Sequence, residues 1–442
     1  MKPMTTLAFG TCLLLVSAAT AWAQASDVKL EALEKRFEQM ELRHQEELRI
    51  LREQIQSLKQ ATDLRHGTAD STAEATSLPV SSQPATTTKS STGSALINAL
   101  NPAVTVFGNF TGRLDSDGVV NEEGDAIDDR FNLREIELDF RAAIDAWADG
   151  VLMVALESES PGEYEIGIEE GYATLKRLPG LEAAPLGLRL TAGRFRPEFG
   201  RMNQVHTHDL PQTTRPRSLV TFLGEEGFVE NGILAEAYIP TPGDNNSLAA
   251  SMAVLNGGSI AVGEDNDGEN LAFNGHLEWF WDLAPGHDLE LGSSIWSGKS
   301  DAAGDLDSRL YGADFTYKWK PYRQGEWRSF LLSGELYVAD LDEVGGGSST
   351  PMGYYLWTQY QINGNNYVGV RYDFAEQLDD EDAETDSYAA FWSYYTTEFL
   401  RLRIGYEYSE SDVEELDELG TAWLELNFVF GSHPVEPYWV NR

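Results

Sequence analysis

The spacing of apolar residues along this chain changes from one long segment to the next. Between residues 26 and 60 the apolar positions recur every three or four residues. Leu30, Leu33, Phe37 and Met40 form one run, and Leu48, Leu51, Ile55 and Leu58 form the next, flanked by Glu, Lys, Arg and Gln. That spacing predicts a helix with a single apolar stripe. The step from Met40 through His44 to Leu48 is a stutter, which locally relaxes a supercoil. A short oligomerising coiled coil is expected, and a lone amphipathic helix lying on another domain is the alternative. Residues 61–94 are rich in Ser, Thr and Ala, with Pro79 and Pro84. They carry too little apolar surface to fold, so 61–103 reads as a flexible linker.

From residue 104 to about 433 the period is two. Leu271, Phe273, Leu277, Trp279 and Trp281 alternate with Asn274, His276 and Glu278. Leu400, Leu402, Ile404, Tyr406 and Tyr408 alternate with Arg401, Arg403 and Glu407. Such stretches are strands with one apolar and one polar face, and about sixteen of them are expected. Beyond residue 25 no apolar run reaches the ~18 residues of a spanning helix. A membrane strand needs only about 9–11 alternating residues.

The connections alternate in kind. Residues 115–129, 376–386 and 407–418 each hold seven acids, and 157–165 and 264–269 hold four each. Between them lie turns such as Pro285-Gly286, Asn363-Gly364-Asn365 and Pro242-Gly243-Asp244-Asn245. Long loops on one side and short turns on the other are what a membrane barrel requires. In lipid only a closed sheet leaves no unpaired backbone edge. A soluble β-sandwich or propeller also alternates, but needs neither this loop pattern nor aromatic residues near strand ends. The expected architecture is therefore an all-β membrane barrel of about sixteen antiparallel strands, preceded by an N-terminal α-helical coiled coil.

Targeting residues give the barrel its compartment. Lys2, the apolar run from Leu7 to Ala21 and the small residues of Ala21-Trp22-Ala23-Gln24-Ala25 read as a signal peptide over 1–25. The sole cysteine, Cys12, lies inside it, so thiol chemistry is not expected in the mature chain. The implied site is a bacterial outer membrane, with lipid around the barrel and the coiled coil in the periplasm. Acids outnumber bases 72 to 32, for a net charge of −40. A nucleic-acid partner is excluded on that ground, since phosphate backbones are bound by Lys and Arg clusters. Past the last strand runs a tail, 434–442, ending Pro437-Tyr438-Trp439-Val440-Asn441-Arg442. Either it folds back, or Phe428 and Phe430 serve as the assembly signal.

One connection differs from the rest. Residues 199–227, the third outer loop, are less acidic and more apolar than the others. A loop of that kind is expected to fold into the lumen and narrow it. Arg194, Arg196, Arg201, Arg215 and Arg217 cluster around it in sequence. They read either as a basic pore constriction or as partners of lumen carboxylates such as Glu135, Glu137 and Asp139. Arg134, Arg141, Arg401 and Arg403 stand in the same position. His206, His208 and Asp209 offer two imidazoles and a carboxylate, a donor set suited to Zn or another divalent transition metal. The alternative is that they hydrogen-bond the loop to the wall. No other cofactor is expected. There is no Gly-x-Ser-x-Gly and no Ser/His/Asp order, and the seven His are otherwise scattered, so the chain does not read as an enzyme.

The layout of signal peptide, coiled coil, polar linker and barrel resembles the phosphate-selective porin family. Gly193-Arg194-Phe195-Arg196-Pro197-Glu198-Phe199-Gly200 resembles its Gly-x-Phe-x-x-x-Phe-Gly segment. Asn203, His206, His208, Pro211, Arg215-Pro216 and Gly224-Glu225-Glu226-Gly227 are more similar to a branch of putative porins and metal-regulated outer-membrane proteins. The resemblance implies a homotrimeric diffusion channel with the third outer loop as its constriction. Its cargo would be small hydrophilic solutes or ions. The alternative is a substrate-specific or metal-binding outer-membrane uptake protein. Phosphate fits poorly, because an acidic vestibule repels it and concentrates cations.

Overall fold

The computed structural model describes residues 102–116, 119–120, 126–127, 131–160, 163–321, 327–412, 418–432 and 437–440. The expected signal peptide and coiled coil, and nearly all of the linker, lie outside the described residues.

Sixteen antiparallel strands close into a barrel. They are β1 (Ala103–Asp115), β2 (Phe131–Ala143), β3 (Ala148–Ser160), β4 (Glu163–Leu175), β5 (Arg189–Phe195), β6 (Glu230–Ile239), β7 (Asn246–Leu255) and β8 (Ala272–Ala284). They continue as β9 (His287–Lys299), β10 (Asp307–Trp319), β11 (Ser329–Asp342), β12 (Met352–Gln361), β13 (Asn366–Glu376), β14 (Glu384–Thr397), β15 (Leu400–Ser411) and β16 (Glu418–Gly431). Each strand pairs with the next, and β16 returns to β1 with Val106 opposite Phe430 and Asp115 opposite Thr421. Every stretch of two-residue period thus finds its strand.

The faces are inverted relative to a soluble sheet. Along β15, Leu402, Ile404 and Tyr406 are exposed, whereas Arg401, Arg403 and Glu407 are buried. Along β16, Leu424 and Phe430 are exposed while Glu425 and Asn427 are buried. A soluble sandwich would bury the apolar row. Here it forms an outward belt far larger than water tolerates, and the polar row faces the lumen.

Two details depart from the expected loop pattern. β3 and β4 stay paired up to Ser160 opposite Glu163, while the connection 176–188 is long for the turn side. Where the chain must turn sharply, glycine supplies the conformation. In the β8–β9 hairpin Gly286 follows Pro285 with φ 82°, the arrangement a type II turn requires.

Two of the register shifts among the described strands turn side chains toward the lumen. The register of β1 on β2 shifts at Arg134, and that of β3 on β4 shifts at Glu169. A bulge inserts one unpaired residue and turns the strand's faces over. Consequently Arg134 and Glu135 both turn inward, as do Glu169 and Glu170.

Candidate functional site

The segment between β5 and β6, here called L3, enters the barrel because of local chemistry. β5 is only seven residues long. Pro197 cannot donate a ladder hydrogen bond, so pairing stops beside it. Gly200 then adopts φ 64°, and an added Cβ would sit 2.2 Å from the Glu335 carboxylate. Glu335, on β11, accepts the backbone N–H of Arg201 at 2.9 Å and of Met202 at 2.7 Å. The Phe199-Gly200 pair is therefore the point where L3 docks on the far wall.

Apolar side chains hold one side of L3. A short helix, α1 (Arg217–Leu223), buries Leu219, Phe222 and Leu223. Phe199 and Phe222 stack on the Tyr337 ring at 6.2 and 5.8 Å between centroids. Wall glycines leave room for them. A Cβ on Gly312 would lie 2.7 Å from Phe199, and one on Gly353 would lie 2.7 Å from Phe222.

Wall arginines hold the other side by its carbonyls. Arg401 donates to His208 O at 2.9 Å, Arg403 to Leu210 O at 2.8 Å, Arg134 to Thr213 O at 2.7 Å and Arg371 to Thr214 O at 2.8 Å. Their charges are met on the wall. Glu425 takes Arg401 at 2.7 Å and Arg403 at 2.8 Å. Asp373 takes Arg371 at 2.7 Å.

The five arginines of the expected constriction separate. Phe195 faces inward on β5, so Arg194 falls on the opposite, outward face, where its Nε donates to Ile168 O. It does not belong to a lumen cluster. Arg196 is buried against Glu169 and Glu170, at 3.6 and 3.5 Å, and donates to Glu226 O. Arg215 donates to Val205 O and Thr207 Oγ1 within L3. Arg217 pairs with Glu407 at 3.3 Å. Arg201 pairs with Glu290 and lies over the Tyr438 ring. Three of the five, Arg196, Arg201 and Arg217, thus pair with carboxylates, which is the alternative role the sequence allowed. Arg141 likewise pairs with Asp139 at 2.8 Å.

The described part of the tail also lies inside. Lys318 donates to Tyr438 O, Gln359 donates to Trp439 O at 3.0 Å, and Trp439 packs edge-on against Trp357. Between L3 and the barrel end where β1 begins and β16 ends is a cavity of about 650 Å³. Glu137, Asp139 and Glu170 line it from β2 and β4, and Glu278, Glu290 and Asp314 line it from β8, β9 and β10. L3 adds Glu198 and Asp209, while the lining bases are Arg141, Arg201 and three histidines. The lining is strongly acidic.

His206 and His208 sit at the edge of this cavity, their rings stacked 5.7 Å apart. Phe107 stacks on His208 at 3.7 Å. Nδ1 of His206 lies 2.7 Å from Glu169 and 3.3 Å from Glu137 Oε2. Nδ1 of His208 lies 3.3 Å from that same oxygen and 3.7 Å from Glu135. The opposite nitrogens face Glu170, 3.3 Å from His206, and Asp209, 3.5 Å from His208. Burial works against the charged imidazoles, as does Arg196 beside His206. The carboxylates outweigh both and hold the two histidines well above their ordinary pKa. Two clusters with metal-ligating geometry contain these histidines, Glu135, Glu137 and His208, and Glu137, Glu169 and His206, and a third, Glu157, Glu169 and Glu226, adjoins them. Asp209 belongs to neither of the two histidine clusters and faces the other nitrogen of His208. The three glutamates of those clusters come from β2 and β4, distant in sequence from L3.

No protein-family model matches the chain. It is 24% identical over 362 residues to an uncharacterized protein of Aquifex aeolicus (strain VF5), covering 72% of each. Among solved structures it is similar to OprB of Pseudomonas putida, determined at high pH. That match has 12% identity and a TM-score of 0.50, over 76% of this chain and 96% of that one. A second is an anion-selective porin from Comamonas acidovorans, with 13% identity and a TM-score of 0.48, over 74% of this chain and 100% of that one. At these identities the likeness to OprB is one of fold.

Proposed function

We propose that the protein is a non-enzymatic outer-membrane porin-like channel for small hydrophilic solutes or ions, with residues 199–227 as its constriction. The observation that carries this reading is the acidic cavity inside a closed barrel, bounded by L3. The apolar outward belt supports placement in a lipid bilayer. Carboxylates on a low-dielectric wall raise the local concentration of cations and repel anions, so the channel is read as cation-preferring rather than phosphate-selective. The homotrimer implied by the family resemblance belongs to the same proposal.

Planar-bilayer recordings across a KCl gradient test it. Discrete conductance steps with a cation-selective reversal potential are expected, and replacing Glu198 and Glu278 together by Gln should move that potential toward the anion side. Anion selectivity would overturn the cation preference. A refolded barrel that never conducts would overturn the channel itself.

A further inference from the structure

We propose that His206, His208 and the glutamates around them form a paired site for two divalent transition-metal ions that share Glu137. His208 Nδ1, Glu135 and Glu137 supply one ion, and His206 Nδ1, Glu169 and Glu137 supply the other.

The first support is geometric. In a tetrahedral site with bonds of about 2.0–2.1 Å, two donor atoms lie about 3.3 Å apart. Both Nδ1 atoms are 3.3 Å from Glu137 Oε2. The 2.7 Å contact of His206 with Glu169 would have to open by about 0.6 Å to reach that spacing, while Glu135, 3.7 Å from His208, would close slightly.

A second, independent observation is that the donor atoms of the His208 ion are left without hydrogen bonds. Glu135, Glu137 and His208 are 2%, 0% and 3% exposed. Glu135 Oε1, both oxygens of Glu137 and Nδ1 of His208 have no hydrogen-bond partner among the described residues. Buried acceptors left in this way are costly, and all of them point into the cluster.

Third, each histidine carries a carboxylate on its other nitrogen, Glu170 for His206 and Asp209 for His208. Histidines that ligate metals characteristically hand their second N–H to a carboxylate, which fixes the tautomer and the ring. Asp209 is thus a positioning residue and not a ligand.

Charge agrees. Five carboxylates face Arg196 and two imidazoles in this cluster. Imidazole with carboxylate selects Zn²⁺ or a neighbouring first-row ion over Ca²⁺ or Mg²⁺, which prefer all-oxygen sites. The bound pair would clamp L3 to β2 and β4 beside the cavity.

The test is calorimetric titration of the refolded full-length barrel with ZnCl₂, in excess CaCl₂ to occupy the loop acids. Two calcium-resistant zinc equivalents per chain are expected. His206→Gln and His208→Gln should each leave one, and Glu137→Gln should weaken both. Asp209→Asn and Glu170→Gln should keep the stoichiometry and lower affinity by ~10–100-fold. X-ray absorption at the zinc edge should show nitrogen and oxygen donors only. Absence of calcium-resistant zinc, or zinc binding unchanged by both histidine substitutions, overturns the proposal. Heat-modifiable gel migration reports folding of each variant, and if Glu137→Gln does not fold the two histidine variants decide. The inference does not rest on the channel reading, because zinc stoichiometry and ion conductance are separate measurements.

Discussion

The guanidinium of Arg201 lies over the ring of Tyr438, 3.9 Å from its centroid. One residue belongs to L3 and the other to the segment after the last strand, so two chain segments that enter the barrel separately meet inside it. Such a contact contributes about 0.5–2 kcal/mol, more when it is desolvated. Tyr438→Ala should therefore loosen the tail from L3 and shift the balance between narrow and wide states by roughly 2–30-fold. Single-channel recordings should show a larger share of time at high conductance. An unchanged amplitude histogram, in the variant and in a chain truncated after residue 432, means that the tail does not obstruct passage.

Glu425 should be the most sensitive single position of the wall. It pairs with Arg401 and Arg403 together, and it also accepts from Asn109 at 3.1 Å. All four side chains are buried. Removing one partner of a buried ion pair costs about 3–5 kcal/mol, since the other charge is left unmet. Glu425→Gln should lower the unfolding midpoint in detergent markedly and release L3, because the same arginines hold His208 O and Leu210 O. Replacing Glu425, Arg401 and Arg403 together by apolar residues should recover much of the loss. If the single substitution leaves the midpoint in place, the pairing is not what holds the wall.

The strands were legible because a two-residue period survives wherever lipid lies on one side and water or charge on the other. The bulge at Arg134 was legible too. Along β2 the outward apolar row runs Phe131, Leu133, then Ile136, Leu138 and Phe140, and a step of three in a row of twos marks an extra residue. The same counting back from Phe195 places Arg194 on the outward face. The partners of His206 and His208 were not legible. L3 has no period to read, and Glu135, Glu137 and Glu169 reach it through barrel closure. Asp209 was chosen for its nearness in sequence, but it faces the opposite ring nitrogen of His208.

Gly353 is a socket. It lies on the inward face of β12, and a side chain there would meet Phe222 and Ser218 of α1 at 2.7 and 3.0 Å. Gly353→Leu should fold, because a strand accepts leucine at that backbone conformation, but α1 would be pushed from the wall at a cost of about 1–3 kcal/mol. Limited trypsin digestion should then cut the Arg217–Ser218 bond at the start of α1, which is sheltered while α1 is seated. Digestion identical to the parent chain would show that α1 can shift without leaving its seat.

The adjacent glutamates 169 and 170 allow the bulge itself to be tested. At present the register slips between Met153 opposite Glu170 and Val154 opposite Ile168, which turns both carboxylates inward. Shortening the pair to a single glutamate restores regular pairing, with Ile168 still outward and the remaining carboxylate still inward. Every ladder hydrogen bond can be kept, so the barrel should form with strand protection unchanged. His206, however, now faces two carboxylates on β4, at 2.7 Å and 3.3 Å, and Arg196 is shared between the same two. With one removed, hydrogen–deuterium exchange should quicken across residues 203–210 and not in β3 or β4. Faster exchange throughout β4 would mean that the bulge serves barrel curvature, and that the second carboxylate is a by-product of it.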